Sequence, residues 1–145
     1  VPNFTDPSQD FKIGKGVKLI DGDDVTIVAT GHLVREAIEA CKQLNKEGIS
    51  AELINIHTIK PLDEEIILKS ISKTKCIVSA EEHNIIGGLG ESISGVLVKN
   101  NLVPMEFVGV EDSFGESGTP AQLMEKYGLS SKKIYEKCKK VILKK

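Results

Sequence analysis

Apolar residues in this chain recur with two alternating periods, and the switches between them set out a sequence of elements. Val25-Thr26-Ile27-Val28-Ala29 is a near-continuous apolar run, the pattern of a strand covered on both faces. Val34, Ala37, Ile38, Cys41 and Leu44 then fall at helical spacing, and Gly48 supplies the stop. The strand Ala51-Glu52-Leu53-Ile54-Asn55-Ile56 follows. Pro61 and a capping Asp63 open a helix carrying Ile66, Ile67, Leu68 and Ile71. Residues 76–80 predict another strand, and Ile93, Val96 and Leu97 mark the inner face of a helix after Gly90. Residues 105–110 predict the last strand, and Thr119-Pro120-Ala121-Gln122 has the form of a capping box with proline at the first helical position. A final helix carries Ile134, Cys138, Val141 and Ile142 under a lysine-rich face, whose charge suits the negative pole of the helix dipole.

At the other end, Val17-Lys18-Leu19-Ile20 is separated from Val25 by Asp21-Gly22-Asp23-Asp24, which predicts a hairpin of two adjacent antiparallel strands. Residues 1–16 hold Pro2, Pro7, Gly14 and Gly16 without periodicity and are expected to be a linker arriving from a preceding domain. Residues 17–145 form one domain on this reading. The start at Val1 in place of Met suggests a segment of a longer polypeptide. After the hairpin, strands and helices alternate, which implies parallel strands, right-handed crossovers and helices on both faces of an α/β sheet.

Composition narrows the partners. The net charge is −2, and of 19 basic residues only Arg35 is an arginine. Phosphate clamps and base-reading forks rely on arginine, so nucleic acid is not an expected partner. No apolar run reaches the ~18 residues of a membrane span, so no membrane partner is expected either. Cys41, Cys76 and Cys138 are odd in number, far apart and inside predicted elements, as expected of buried reduced thiols in a cytoplasmic protein.

The candidate chemistry gathers at predicted strand ends. His32, His57 and His83 stand at or just beyond three successive strands, and Glu111 and Asp112 follow the last. With parallel strands they share one rim, where a metal or acid-base site competes with a polar surface that binds another domain. The second reading is preferred, and no metal ligand is assigned. Glu81 and Glu82 are neighbours in a strand and point to opposite faces, so they cannot act as a pair on one bond. Gly88-Leu89-Gly90-Glu91-Ser92-Ile93 places Ile93 where a dinucleotide fingerprint needs its third glycine, and no Gly-Lys-Ser/Thr phosphate loop occurs. Asp21-Gly22-Asp23-Asp24 lacks the second glycine of a metal-diphosphate motif, and Ser117 lacks a nucleophile elbow.

Three segments in order carry a resemblance. Thr58-Ile59-Lys60-Pro61-Leu62-Asp63, then Glu81-Glu82-His83-Asn84-Ile85-Ile86-Gly87-Gly88-Leu89-Gly90, then Phe114-Gly115-Glu116-Ser117-Gly118-Thr119 resemble the C-terminal domain of transketolase, best in its split form. The resemblance runs from about Phe11 to the end. It implies a three-layer α/β/α domain with a five-stranded, mostly parallel mixed sheet and one antiparallel strand. It also implies membership of a thiamine-diphosphate enzyme moving two-carbon ketol units between sugar phosphates. In that family thiamine diphosphate and Mg²⁺ lie between a diphosphate-binding and a pyrimidine-binding domain of two subunits, which implies a homodimer. Neither domain matches these 145 residues.

No catalytic or cofactor-binding residue is therefore carried over, and the fragment is expected to be inactive alone. Glu81, Glu82, His83, Gly87, Gly88, Gly90 and Glu91 are the candidates for a domain or dimer interface. Alternatives are the equivalent domain of deoxyxylulose-phosphate synthase or of a 2-oxoacid dehydrogenase beta subunit, or a small-ligand-binding regulatory module.

Overall fold

The computed structural model describes residues 15–57, 61–84, 88–110 and 130–145, with the side chains of 82–84 and 110 outside the description. Five strands form one sheet: β1 (Val17–Ile20), β2 (Val25–Ala29), β3 (Ala51–Asn55), β4 (Ile77–Asn84) and β5 (Met105–Val110), in the order β1-β3-β2-β4-β5. Four described helices accompany them: α1 (Leu33–Lys46), α2 (Glu64–Thr74), α3 (Leu89–Asn100) and α4 (Ser131–Ile142). The capping box at 119–122 lies outside the described residues.

The expected hairpin is overturned. β1 pairs antiparallel with β3, Val17 opposite Asn55 and Lys18 opposite Ile54, and β3 lies between β1 and β2. The burial of the two strands explains the choice. All five residues of β2 are buried, whereas β1 is half-exposed with Lys18 outward. A strand that apolar belongs between two covered neighbours, and β3 and β4 flank it in parallel. Residues 21–24 therefore cross the start of β3, a span of about 10 Å at ordinary strand spacing. Gly22 allows the crossing, since a Cβ there would stand 2.2 Å from the carbonyl carbon of Ala51.

The helices follow from chain direction. The path runs from β2 outward to β3, then reverses across β2 to β4 and on to β5. Right-handed crossovers put opposite directions on opposite faces. α1 accordingly packs over Ile27, Ala29, Leu53 and Val78, joined by α4, and α2 and α3 pack over Val28, Ile54 and Ile77. The result is the three-layer α/β/α sandwich with one antiparallel strand that the resemblance implied.

Asp63 caps α2, accepting from Ile66 N at 3.3 Å, and Lys75 ends it in the left-handed region. The lysine-rich α4 is fastened by three glutamates. Glu36 of α1 accepts from Ser131 N at 2.9 Å, Glu47 binds Lys139 at 2.6 Å and the hydroxyl of Tyr135, and Glu106 of β5 receives Lys137, Lys140 and Lys144. Among the described residues no helix is long and apolar enough to cross a membrane.

Candidate functional site

In an open α/β sheet, ligands and partners meet the chain where loops from neighbouring strands leave toward opposite faces. Here that point lies between the carboxyl ends of β2 and β4. β2 leads to α1 on one face, β4 leads to α3 on the other, and Thr30 N donates to Ala80 O at 3.1 Å across the gap. The crevice is bordered by Thr30 to His32 on one side and by the end of β4 and Gly88 on the other.

The predicted rim assembles as a backbone arrangement. β3, β2 and β4 are parallel neighbours, so His57, His32 and His83 stand at the same edge of the sheet. His32 is the exposed N-cap of α1 and its side chain does not cap. His57 is exposed one residue past Ile56, and His83 lies on β4. No group of three or more His, Cys, Asp or Glu among the described residues is placed to hold a metal ion. Glu111, Asp112 and Gly87 fall outside the described residues.

Glu81 does not face outward. It is 1% exposed, and its carboxylate spans the start of α3, accepting from Leu89 N at 2.8 Å and Gly90 N at 2.7 Å. Those amides are the orphan donors of a helix N-terminus, the groups that would otherwise hold a phosphate. An internal carboxylate already satisfies them and sits at the positive pole of the helix. Residues 88–90 are thus closed to a dinucleotide from within. Strand alternation turns Ile77, Ser79 and Glu81 to the α3 face.

Gly88 is the buried N-cap of α3 in an extended conformation, and Glu91 is exposed on the first turn. Gly90 is glycine because of packing. A Cβ there would lie 2.5 Å from Phe107 Cδ2 and 2.8 Å from Ser79 Oγ. The neighbours that require glycine there are side chains of β5 and β4.

Two features of the crevice carried no sequence signal. The hydroxyl oxygens of Thr30 and Ser79 are buried with no hydrogen-bond partner among the described residues, and a single polar residue in an apolar run does not announce that state. The four-residue segment 21–24 is also occupied internally. Asp24 Oδ2 accepts from Ser50 N at 2.7 Å and Gly22 N donates to buried Glu52 at 3.1 Å. Backbone donors of this loop and of the start of α3 are therefore engaged by the chain's own side chains, while Asp21 and Asp23 face outward beside Lys18 and Lys73.

The cysteines are inert on chemical grounds. All three are free and buried. Burial pushes the Cys41 thiol up to about 12 and Cys76 to about 11, and drives Cys138 well above the ordinary 9.0.

A family model described as the transketolase C-terminal domain matches residues 14–134. The chain belongs to this family. It is 47% identical over 127 residues to the 6-deoxy-6-sulfo-D-fructose transketolase subunit SqwH of Clostridium sp. (strain MSTE9), covering 88% of this chain and 39% of that protein. It is 38% identical over 125 residues to 1-deoxy-D-xylulose-5-phosphate synthase 1 of Geobacter sulfurreducens, covering 85% of this chain and 20% of the synthase. A solved structure titled as a split gene transketolase, inactive beta4 tetramer, superposes with a TM-score of 0.91 at 42% identity, covering 99% of this chain and 47% of that one. The chain thus spans less than half the length of each of these relatives. The transketolase C-terminal domain fold, with its mixed five-stranded sheet, is the one built above from burial and chain direction.

Proposed function

We propose that this chain is the C-terminal domain of a thiamine-diphosphate-dependent transketolase and works as its assembly domain. Residues 17–145 are the domain and 1–16 the linker. The strand-end rim docks on the pyrimidine-binding domain or on a symmetry-related copy in a homodimer. Glu82, His83 and the 87–91 segment form the contact surface, and Glu81 supports it from below. Thiamine diphosphate, Mg²⁺ and the reacting sugar phosphates are held by the other domains, in the cytoplasm. Ketol transfer needs those domains, so the chain alone is inactive.

One observation carries this reading. The helix-start amides with which such a sheet would hold an anion are engaged by the chain's own Glu81, which favours a protein contact over a phosphate at the switch point. Because β1 runs antiparallel, the polypeptide also joins the sheet at this same edge, with Val17 opposite Asn55 at the end of β3. What precedes the domain therefore meets it on the rim side. The solved relative whose title calls it inactive supports the division of labour, and the higher identities to transketolases than to the synthase favour ketol transfer.

Calorimetric titration of the chain with thiamine diphosphate and Mg²⁺ tests the proposal, alongside a ketol-transfer assay with and without a polypeptide carrying the other two domains. The expected result is no binding and no turnover alone, with activity on reconstitution. Stoichiometric cofactor binding by the isolated chain overturns it.

A further inference from the structure

Both ends of β1 are fastened by the same device. Gly16 N donates to Asp63 Oδ2 at 2.8 Å at the rim end, and Gly22 N donates to Glu52 Oε1 at 3.1 Å at the opposite end. Asp63 is 9% exposed and Glu52 is 3% exposed. Both donors are also in tight contact. A Cβ at Gly16 would lie 2.7 Å from Ile56 Cδ1 and 3.2 Å from Ile66 Cγ2, and one at Gly22 would meet the Ala51–Glu52 peptide. The strand between them has four residues, lies at the sheet edge, is half-exposed and pairs with an irregular register. Between its ends the strand is held by its ladder to β3 and by half-buried Leu19 and Ile20 against the core, so the end bonds fix where it begins and stops. Backbone donors to ionised carboxylates are about twice as strong as neutral pairs.

Each carboxylate has a second bond that ties β1 to the body of the fold. Asp63 Oδ1 caps α2 at Ile66 N, and Glu52 receives Lys73 Nζ at 2.6 Å. The Asp63 bond lies where the polypeptide joins the sheet, beside the end of β3 and on the edge that carries the crevice.

We propose that Asp63 is a positioning residue for domain assembly: its bond to Gly16 fixes the point and direction at which the incoming polypeptide meets the rim. Glu52 is the matching anchor at the far end. The inference takes its use from the rim reading above but stands on its own geometry. A tether clamped at its junction holds an attached domain over a narrower range of positions than a free one, which raises the effective concentration of that domain at the rim.

Asp63→Ser separates the two bonds, because serine caps a helix as well as aspartate but has a single oxygen. Gly16→Ala is the second variant. It keeps both Asp63 oxygens, so the acceptor that caps α2 remains, and it displaces the junction against the side chains of Ile56 and Ile66. Spin labels at Lys15→Cys and Lys99→Cys report the junction, and labels at Lys69→Cys and Lys99→Cys report the body of the fold. The native thiols are buried and do not take label. Both variants should broaden the first distance distribution and leave the second unchanged. Amide exchange of residues 17–20 should rise about tenfold, the loss of one ordinary hydrogen bond, with α2 unaffected. An unbroadened Lys15–Lys99 distribution in both variants overturns the anchor and leaves the rim reading intact. Failure of the unmodified chain to bind any companion domain overturns the rim reading and leaves the anchor in place.

Discussion

Gly90 of α3 and Phe107 of β5 are pressed together, with the ring carbon Cδ2 2.5 Å from where a Cβ on Gly90 would stand. Gly90→Ala gains up to about 1 kcal/mol of helix propensity. The overpacking against Phe107 and Ser79 costs about 1–3 kcal/mol. Net destabilisation in urea unfolding is the expected outcome. Pairing it with Phe107→Leu should recover part of the loss, because residues in contact do not add independently.

Glu81→Ala removes the acceptor of two helix-start amides. Hydrogen bonds to a buried charged group are worth about 1.5–3 kcal/mol each, so a loss of about 3 kcal/mol or more is expected. Amide exchange at Leu89 and Gly90 should accelerate most. Glu81→Gln keeps one acceptor and turns an NH2 toward a backbone N–H, so it should fall between wild type and alanine. If Leu89 and Gly90 stay protected in the alanine variant, the cap is not what holds the start of α3.

The thiols give a chemical test of the core. With Cys41 near 12 and Cys76 near 11, the thiolate fraction at pH 8 is about 10⁻⁴ and 10⁻³, and only thiolates react. Ellman's reagent should titrate none of the three in the folded chain within minutes and all three in guanidinium chloride. A rapid native reaction at Cys138 would show that α4 opens readily, because that residue is on its buried face.

Glu106 sets a pH dependence. Burial raises its pKa, but the ammonium groups of Lys144 and Lys137 bonded to it outweigh that and hold the carboxyl below its ordinary 4.5. A depressed carboxyl contributes stability that is fully present above the unfolded value and is lost as pH falls through the folded one. Thermal melts should therefore weaken below pH 4.5. Glu106→Gln should lower stability at neutral pH and flatten that acid slope.

Much of the architecture was legible in the chain because local periodicity reports local burial. The unbroken apolar run 25–29 marked a strand covered on both faces, and it is the centre of the sheet. The helical spacing of Ala37, Cys41 and Leu44 marked the buried stripe of α1, and Asp63 announced the cap it makes. The three ordered motifs were enough to point to the family that the comparisons establish.

What only the tertiary structure decided are the relationships between distant segments. Strand order was one of them. Asp21-Gly22-Asp23-Asp24 reads as a hairpin turn, yet the same four residues can cross a strand, and the crossing wins because β2 is buried along its whole length and β3 covers one of its edges. The inward turn of Glu81 was another. Residue type cannot say whether a carboxylate at a strand end faces solvent or an orphan helix terminus, since that depends on where α3 begins in space. Sequence determines which segments are apolar and when the chain turns. Which surfaces then cover one another is a property of the packed whole, because burial is shared between elements far apart in the chain.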